Sequence, residues 1–295
     1  MIRSATSWRG QPAMLLSSDQ LEAVVSHTGA QVACLRRRGE QLNPLWQPPW
    51  QTAEDPLLAI IVGSNPCLDR FGPAWPGEAK PLHGEAGVRR WHSRLEGEVA
   101  VFSTELPLAR LAVERGFAFQ GDTLVLTTSV RSLDAVARTI EWCEHTTLGD
   151  PFLASASITA GIAKPQPMHG ATSGSLDVAT ALAMPAPDEE KRGDIHTAPV
   201  LDGWYRVHNP ALGRTLMVRW DPADFPWLCL WTEHRSRSES PWLEVTRARG
   251  MELSTKPFPE GKPPAERATS WLGRSTLCVV PAHGWLRKTI RFQWS

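Results

Sequence analysis

Apolar side chains recur at every second position along much of this chain, a spacing that puts one set on a core and the next in water, as a half-buried β-strand requires. The C-terminal run is the plainest case. Leu286, Ile290, Phe292 and Trp294 share one face, and Arg287, Thr289, Arg291 and Gln293 the other. Leu124, Leu126, Thr128 and Val130 repeat the pattern after the turn Gln120-Gly121-Asp122, and residues 111–119 before that turn supply a partner, so a hairpin is predicted. Further strands are predicted over 20–26, 30–36, 99–105, 138–145, 214–220, 227–233 and 275–281. Helical periodicity is scarce, and 25 scattered prolines disfavour long helices. The fold class that follows is mainly β: a large antiparallel β-sandwich with few short helices, filling residues 1–295 as a single domain, since no repeat or linker interrupts it.

Charge narrows the function classes. Lys+Arg and Asp+Glu both total 31, so no net field draws a polyanion, and nucleic acid is not an expected partner. No apolar run approaches the roughly 20 residues that span a bilayer. The five cysteines are odd in number, widely spaced and never paired as C-x-x-C, which fits a reduced, cytoplasmic setting. Phosphate-cradling glycine loops and a G-x-S-x-G nucleophile turn are missing from the sequence, so nucleotide-dependent and serine-hydrolase chemistry find no support. Of the 14 tryptophans most are expected in the core; Trp75 and Trp231 are candidates for flat platforms under a sugar ring.

Four short segments carry groups fit for chemistry. Leu82-His83-Gly84-Glu85 sets an imidazole beside glycine, where irregular backbone approaches a ligand closely. His145 falls near the end of the predicted strand 138–145, where it either faces a cleft or caps a turn. Glu252, between Met251 and Leu253, points opposite to its apolar neighbours, into a pocket or into water. Arg70 offers a rigid fork of donors suited to hydroxyls or carboxylates. The stretches 163–197 and 254–268, rich in Pro, Gly and charge, are predicted to be long loops of the kind that carry binding residues.

The order of these segments resembles the galactose mutarotase-like (aldose 1-epimerase) superfamily across essentially the whole chain. Residues 16–35 look like its opening strand pair, Asn43-Pro44-Leu45-Trp46 like a phrase that follows it, and Leu82-His83-Gly84 like its first histidine motif. Residues 142–152 are similar to the strand bearing its second histidine, and Met251-Glu252-Leu253-Ser254-Thr255 to the strand bearing its catalytic glutamate. The resemblance implies a supersandwich fold, a monosaccharide or sugar-phosphate substrate, and no cofactor or metal. It further implies His145 as general acid, Glu252 as general base, and Arg70, His83, Trp75 and Trp231 as substrate contacts, in a monomer or homodimer. The sequence departs from the pattern at Glu85, where a glycine is usual, and at Thr146-Thr147-Leu148, where aromatic residues are. Asp202 and Glu233 are the candidates for the family's late substrate-binding Asp. A metal site of His83, Glu85 and His145, a sugar-binding protein without turnover, and a phosphate pocket at Arg89 and Arg90 are the rival readings.

Overall fold

The computed structural model describes residues 2–168 and 176–295. Its main sheet is a single hydrogen-bonded network of 17 strands, folded over into two layers. The long strand Arg192–Asn209 makes the fold-over. Its first part pairs with Trp227–His234 and its last part with Arg214–Trp220.

The first layer runs Ile2–Trp8, Gln11–Ser17, Leu21–Ser26, Val32–Arg37, Ser64–Leu68, Trp142–Gly149, Arg247–Ser254 and Trp227–His234, ending on the start of Arg192–Asn209. The second runs His92–Glu96, Val99–Leu106, Leu111–Gln120, Thr123–Ser132, Leu286–Trp294 and Arg214–Trp220, then the rest of Arg192–Asn209 and Ser157–Ile162. Among the described residues the only helical segments are Val178–Leu182, capped by Asp177, and the short 3-10 turn Pro264–Glu266. None is long and apolar enough to cross a membrane. The predicted mainly antiparallel β-sandwich with few short helices is the fold observed.

The alternation places the core as expected. Leu124, Leu126, Thr128 and Val130 are buried, as are Ile290, Phe292 and Trp294, and these strands lie side by side in the second layer. Phe152 meets Trp294 edge-on, with ring centroids 4.9 Å apart. One ion pair spans this apolar interior. Arg115 of the second layer grips Glu144 of the first through two bonds, Nη1 to Oε2 at 2.8 Å and Nη2 to Oε1 at 3.0 Å, and Ser64 Oγ donates to the same carboxylate at 2.6 Å.

Two expectations are corrected. The loop placed over 163–197 gives way to a strand at Arg192; residues 169–175 of that range lie outside the described residues. Alternation hides this strand because no residue-by-residue wet and dry pattern marks it: Arg192, Asp194 and Ile195 are half-buried, Asp194 is paired with Arg192 and lies 3.5 Å from His196, and His196 to Val200 are buried without a break. The strand placed over 138–145 breaks at Glu141 into Arg138–Ile140 and Trp142–Gly149, which join different sheets.

Candidate active site

Every residue of Trp142–Gly149 is buried, because the strand lies mid-sheet between Ser64–Leu68 and Arg247–Ser254. Side chains still alternate along it. Glu144 and Thr146 turn toward the interior of the sandwich. His145 and Thr147 turn outward, beneath loops that roof the first layer. His145 stands directly opposite Glu252 in the ladder, and Glu252 stands opposite Cys229. Glu252 therefore faces the same way as His145, and its Oε1 lies 3.2 Å from His145 Nε2. His145 Nδ1 meets Thr147 Oγ1 at 3.1 Å.

The pair opens onto a cavity of about 200 Å³ whose walls include Trp46, Ile61, Leu82, His83, Trp231 and Trp242. Polar groups are few and convergent in an otherwise apolar hollow, the usual build of a small-molecule site. Burial pushes the Glu252 carboxyl above its usual value, with His145, Cys229 and Arg249 pulling the other way. Cys229 is one of five free, buried cysteines.

His83 reaches the cavity from a loop held in an exacting conformation. Its own φ is +59° and that of Gly84 is +82°. A Cβ on Gly84 would lie 2.3 Å from Leu68 O, so only glycine fits there. His83 and Gly72 clasp each other: His83 N donates to Gly72 O at 2.9 Å, and Gly72 N donates to His83 Nδ1 at 3.1 Å. With Nδ1 accepting, the neutral ring carries its proton on Nε2. Burial, then His145 and Arg237, hold the His83 pKa well below its usual value. The two imidazole rings meet edge to face, with centroids 5.1 Å apart, and Trp231 lies 6.0 Å from His145.

Four of the six expected residues thus converge: His145, Glu252, His83 and Trp231. Arg70 and Trp75, the other two, do not line this cavity. Arg70 is fully buried against Glu78 at 2.6 Å and Glu141 at 3.2 Å, with its guanidinium 4.0 Å above the Trp75 ring. Glu141 also takes Lys256 at 3.0 Å, Arg267 at 2.9 Å and Phe71 N at 2.6 Å. Arg70 is therefore part of a charged hub that anchors Phe71, the neighbour of Gly72, and so supports the His83 clasp from behind.

The remaining candidates fall elsewhere. Glu85 turns its carboxylate to Ala109 N at 2.9 Å, away from both histidines. Among the described residues no group of three His, Cys, Asp or Glu side chains is gathered as a metal site. Asp202 is exposed and bonded to Trp204 Nε1 at 2.8 Å. Glu233 is buried, accepting from Ser236 N at 2.7 Å and Ser236 Oγ at 2.8 Å. Arg89 and Arg90 border a separate surface groove with Arg131 and Trp285. A second cavity of about 160 Å³ lies beside the hub, bordered by Glu141, Lys256 and Arg267, which are already engaged with one another.

The site also contains residues that the sequence does not mark as belonging to it: Trp46, Trp242, Arg237 and Gly250. A Cβ on Gly250 would lie 2.4 Å from Glu252 Oε1 and 3.0 Å from Trp231 Cβ. Gly250→Ala is expected to fold normally but to swing the carboxylate aside, lowering any turnover by roughly 10–10² fold, since small misplacements cost that much. Rate and thermal midpoint measured together check this; an unchanged rate would show that the carboxylate position is not critical.

No protein-family model matches the chain, and no curated protein sequence does. Solved structures do. A galactose mutarotase-like protein from Clostridium acetobutylicum superposes with a TM-score of 0.69 at 11% identity, covering 100% of this chain and 98% of that one. A galactose mutarotase related enzyme from Lactobacillus acidophilus gives 0.68 at 11%, covering 96% and 97%. A galactose mutarotase-like protein from Lactobacillus casei gives 0.65 at 11%, covering 96% and 100%. At such identities the fold is what is shared, and this chain is a divergent bearer of the galactose mutarotase-like fold.

Proposed function

We propose that the cavity binds a pyranose and speeds the exchange of its anomers, with Glu252 as base and His145 as acid. The observation that carries this reading is the 3.2 Å pairing of imidazole and carboxylate at the floor of an aromatic-walled hollow. Glu252 takes the proton of the C1 hydroxyl while a His145 N–H protonates the ring oxygen. The C1–O5 bond breaks and an open-chain aldehyde forms. Rotation about C1–C2 and closure from the other face return both protons. Each such transfer is worth about 10²–10⁴ fold. His83, donating from Nε2, orients an oxygen of the ring, and Trp231 supports the apolar face of the sugar.

Polarimetry on freshly dissolved aldoses tests the reading: faster decay of optical rotation than in buffer is expected, and none with any aldose would end it. A sugar-binding protein without turnover is the second reading. The direct contact of the acid and base favours it, because the pair must part before a ring can sit between them.

The pH profile carries a further expectation. Glu252 acts only when ionised, and burial raises its pKa above the ordinary 4.5. The rate therefore falls with falling pH through a value above 4.5. Initial rates from about pH 4 to 8 check this; a half-maximum at or below the ordinary value would show that burial does not hold the carboxyl up in the working enzyme.

A further inference from the structure

We infer that the sugar this cavity selects is a sugar acid, its carboxylate held by Arg237 at the end opposite to His145 and Glu252. The inference rests on the reading of the cavity as a pyranose site. Among the described residues Arg237 is the only Arg or Lys on the wall. Its guanidinium lies 4.5 Å from the Trp242 ring and 5.5 Å from the Trp231 ring. Its Nε pairs with Glu233 Oε2 at 3.2 Å, and among the described residues its Nη groups make no hydrogen bond to protein. Glu233 is itself fixed through both oxygens by Ser236. One edge of the guanidinium is thereby anchored and the other is left free at the mouth, where the side chain is 39% exposed.

Two parallel N–H groups on a planar fork match the two oxygens of a carboxylate. A dianionic phosphate calls for more positive charge than one arginine supplies, and among the described residues the wall offers no second permanent cation. His83 does not add one, because its Nδ1 accepts from Gly72.

The strand geometry sets the two ends apart. Cys229, Trp231 and Glu233 face the same way along Trp227–His234, opposite Glu252, Gly250 and Ala248. The base and the anchor of Arg237 are thus four residues apart along the strand, on the order of 13 Å at a strand's rise per residue. Trp231 lies between them. A pyranose resting on Trp231 presents C1 to the acid–base pair and its exocyclic carbon toward Arg237. Glu252 repels a carboxylate from its own end, so the two charges together enforce one orientation.

Tryptophan fluorescence titrations of the full chain with D-glucuronate, D-glucose and D-glucose 6-phosphate test this directly. D-glucuronate is expected to bind at least about 10-fold more tightly than glucose, the scale of one charge-assisted contact. In Arg237→Met that ratio should fall to within about 2-fold, and in Arg237→Lys, which keeps the charge but loses the fork, most of the advantage should go. Should one variant fail to fold, the other still reads the ratio. Equal binding of glucose and glucuronate overturns the inference. So does a ratio that survives Arg237→Met, tighter binding of glucose 6-phosphate than of glucuronate, or binding of no sugar. A preference for glucuronate with no acceleration of mutarotation would sink the acid–base reading and leave this one standing. Acceleration with glucose but no preference would do the reverse.

Discussion

Replacing Glu252 by glutamine, or His145 by asparagine, is expected to reduce the acceleration of mutarotation by about 10²–10⁴ fold each, with the thermal midpoint little changed. Glutamine keeps the shape and hydrogen-bonding reach of the protonated acid but cannot accept the C1 proton. Burial already disfavours the ionised form of Glu252, so a neutral substitute relieves a desolvation cost and does not unfold the strand. Asparagine at 145 removes the imidazole that lies 3.2 Å from that carboxylate, and with it the group able to protonate the ring oxygen. Polarimetry and a thermal melt on the same preparation separate chemistry from folding. Wild-type acceleration in both variants would remove the catalytic assignment while leaving the cavity as a binding site.

Glu144→Gln, one residue away, is expected to do the opposite: destabilise strongly without touching the chemistry directly. Arg115 and Glu144 are 0% and 1% exposed, and among the described residues the carboxylate is the only anion paired with that guanidinium. Removing its charge strands a buried cation, a loss of about 3–5 kcal/mol, which lowers the midpoint by on the order of 10 °C in a chain of this size. Thermal or urea denaturation measures it. The pairwise nature of the effect has its own check: Arg115→Met together with Glu144→Leu should recover most of the loss, because no charge is then left alone. A loss below about 1 kcal/mol for Glu144→Gln would mean that water reaches the pair and screens it.

The layered β architecture was legible because period-2 alternation depends only on local geometry, and strands such as Leu286–Trp294 have one wet face and one dry face. Strands wet on neither face were harder. Trp142–Gly149 and Trp227–His234 are buried throughout, and their polar residues look like solvent contacts until the loops above them are in place. His145, Glu252 and His83 were legible through the order of short segments along the chain. The burial of Arg70 is not legible, because a free guanidinium and one enclosed by carboxylates from residues 78 and 141 look alike in sequence. Arg237 and Trp242 were missed for the converse reason. They sit in an ordinary polar stretch, and only the fold carries them over Trp231.

Glu144 and His145 are consecutive, yet one stitches the two layers together and the other meets a carboxylate across the ladder. Because successive side chains leave a strand on opposite sides, slipping this segment by one position would exchange them, driving an imidazole into the apolar interior and a carboxylate against Glu252. Tolerance to insertion and deletion around residues 142–149 should accordingly be near zero, while the hairpin tips of the second layer can lengthen freely. Mutational scanning of such a chain would find this segment silent to drift in length, a fixed ruler against which the rest of the protein varies.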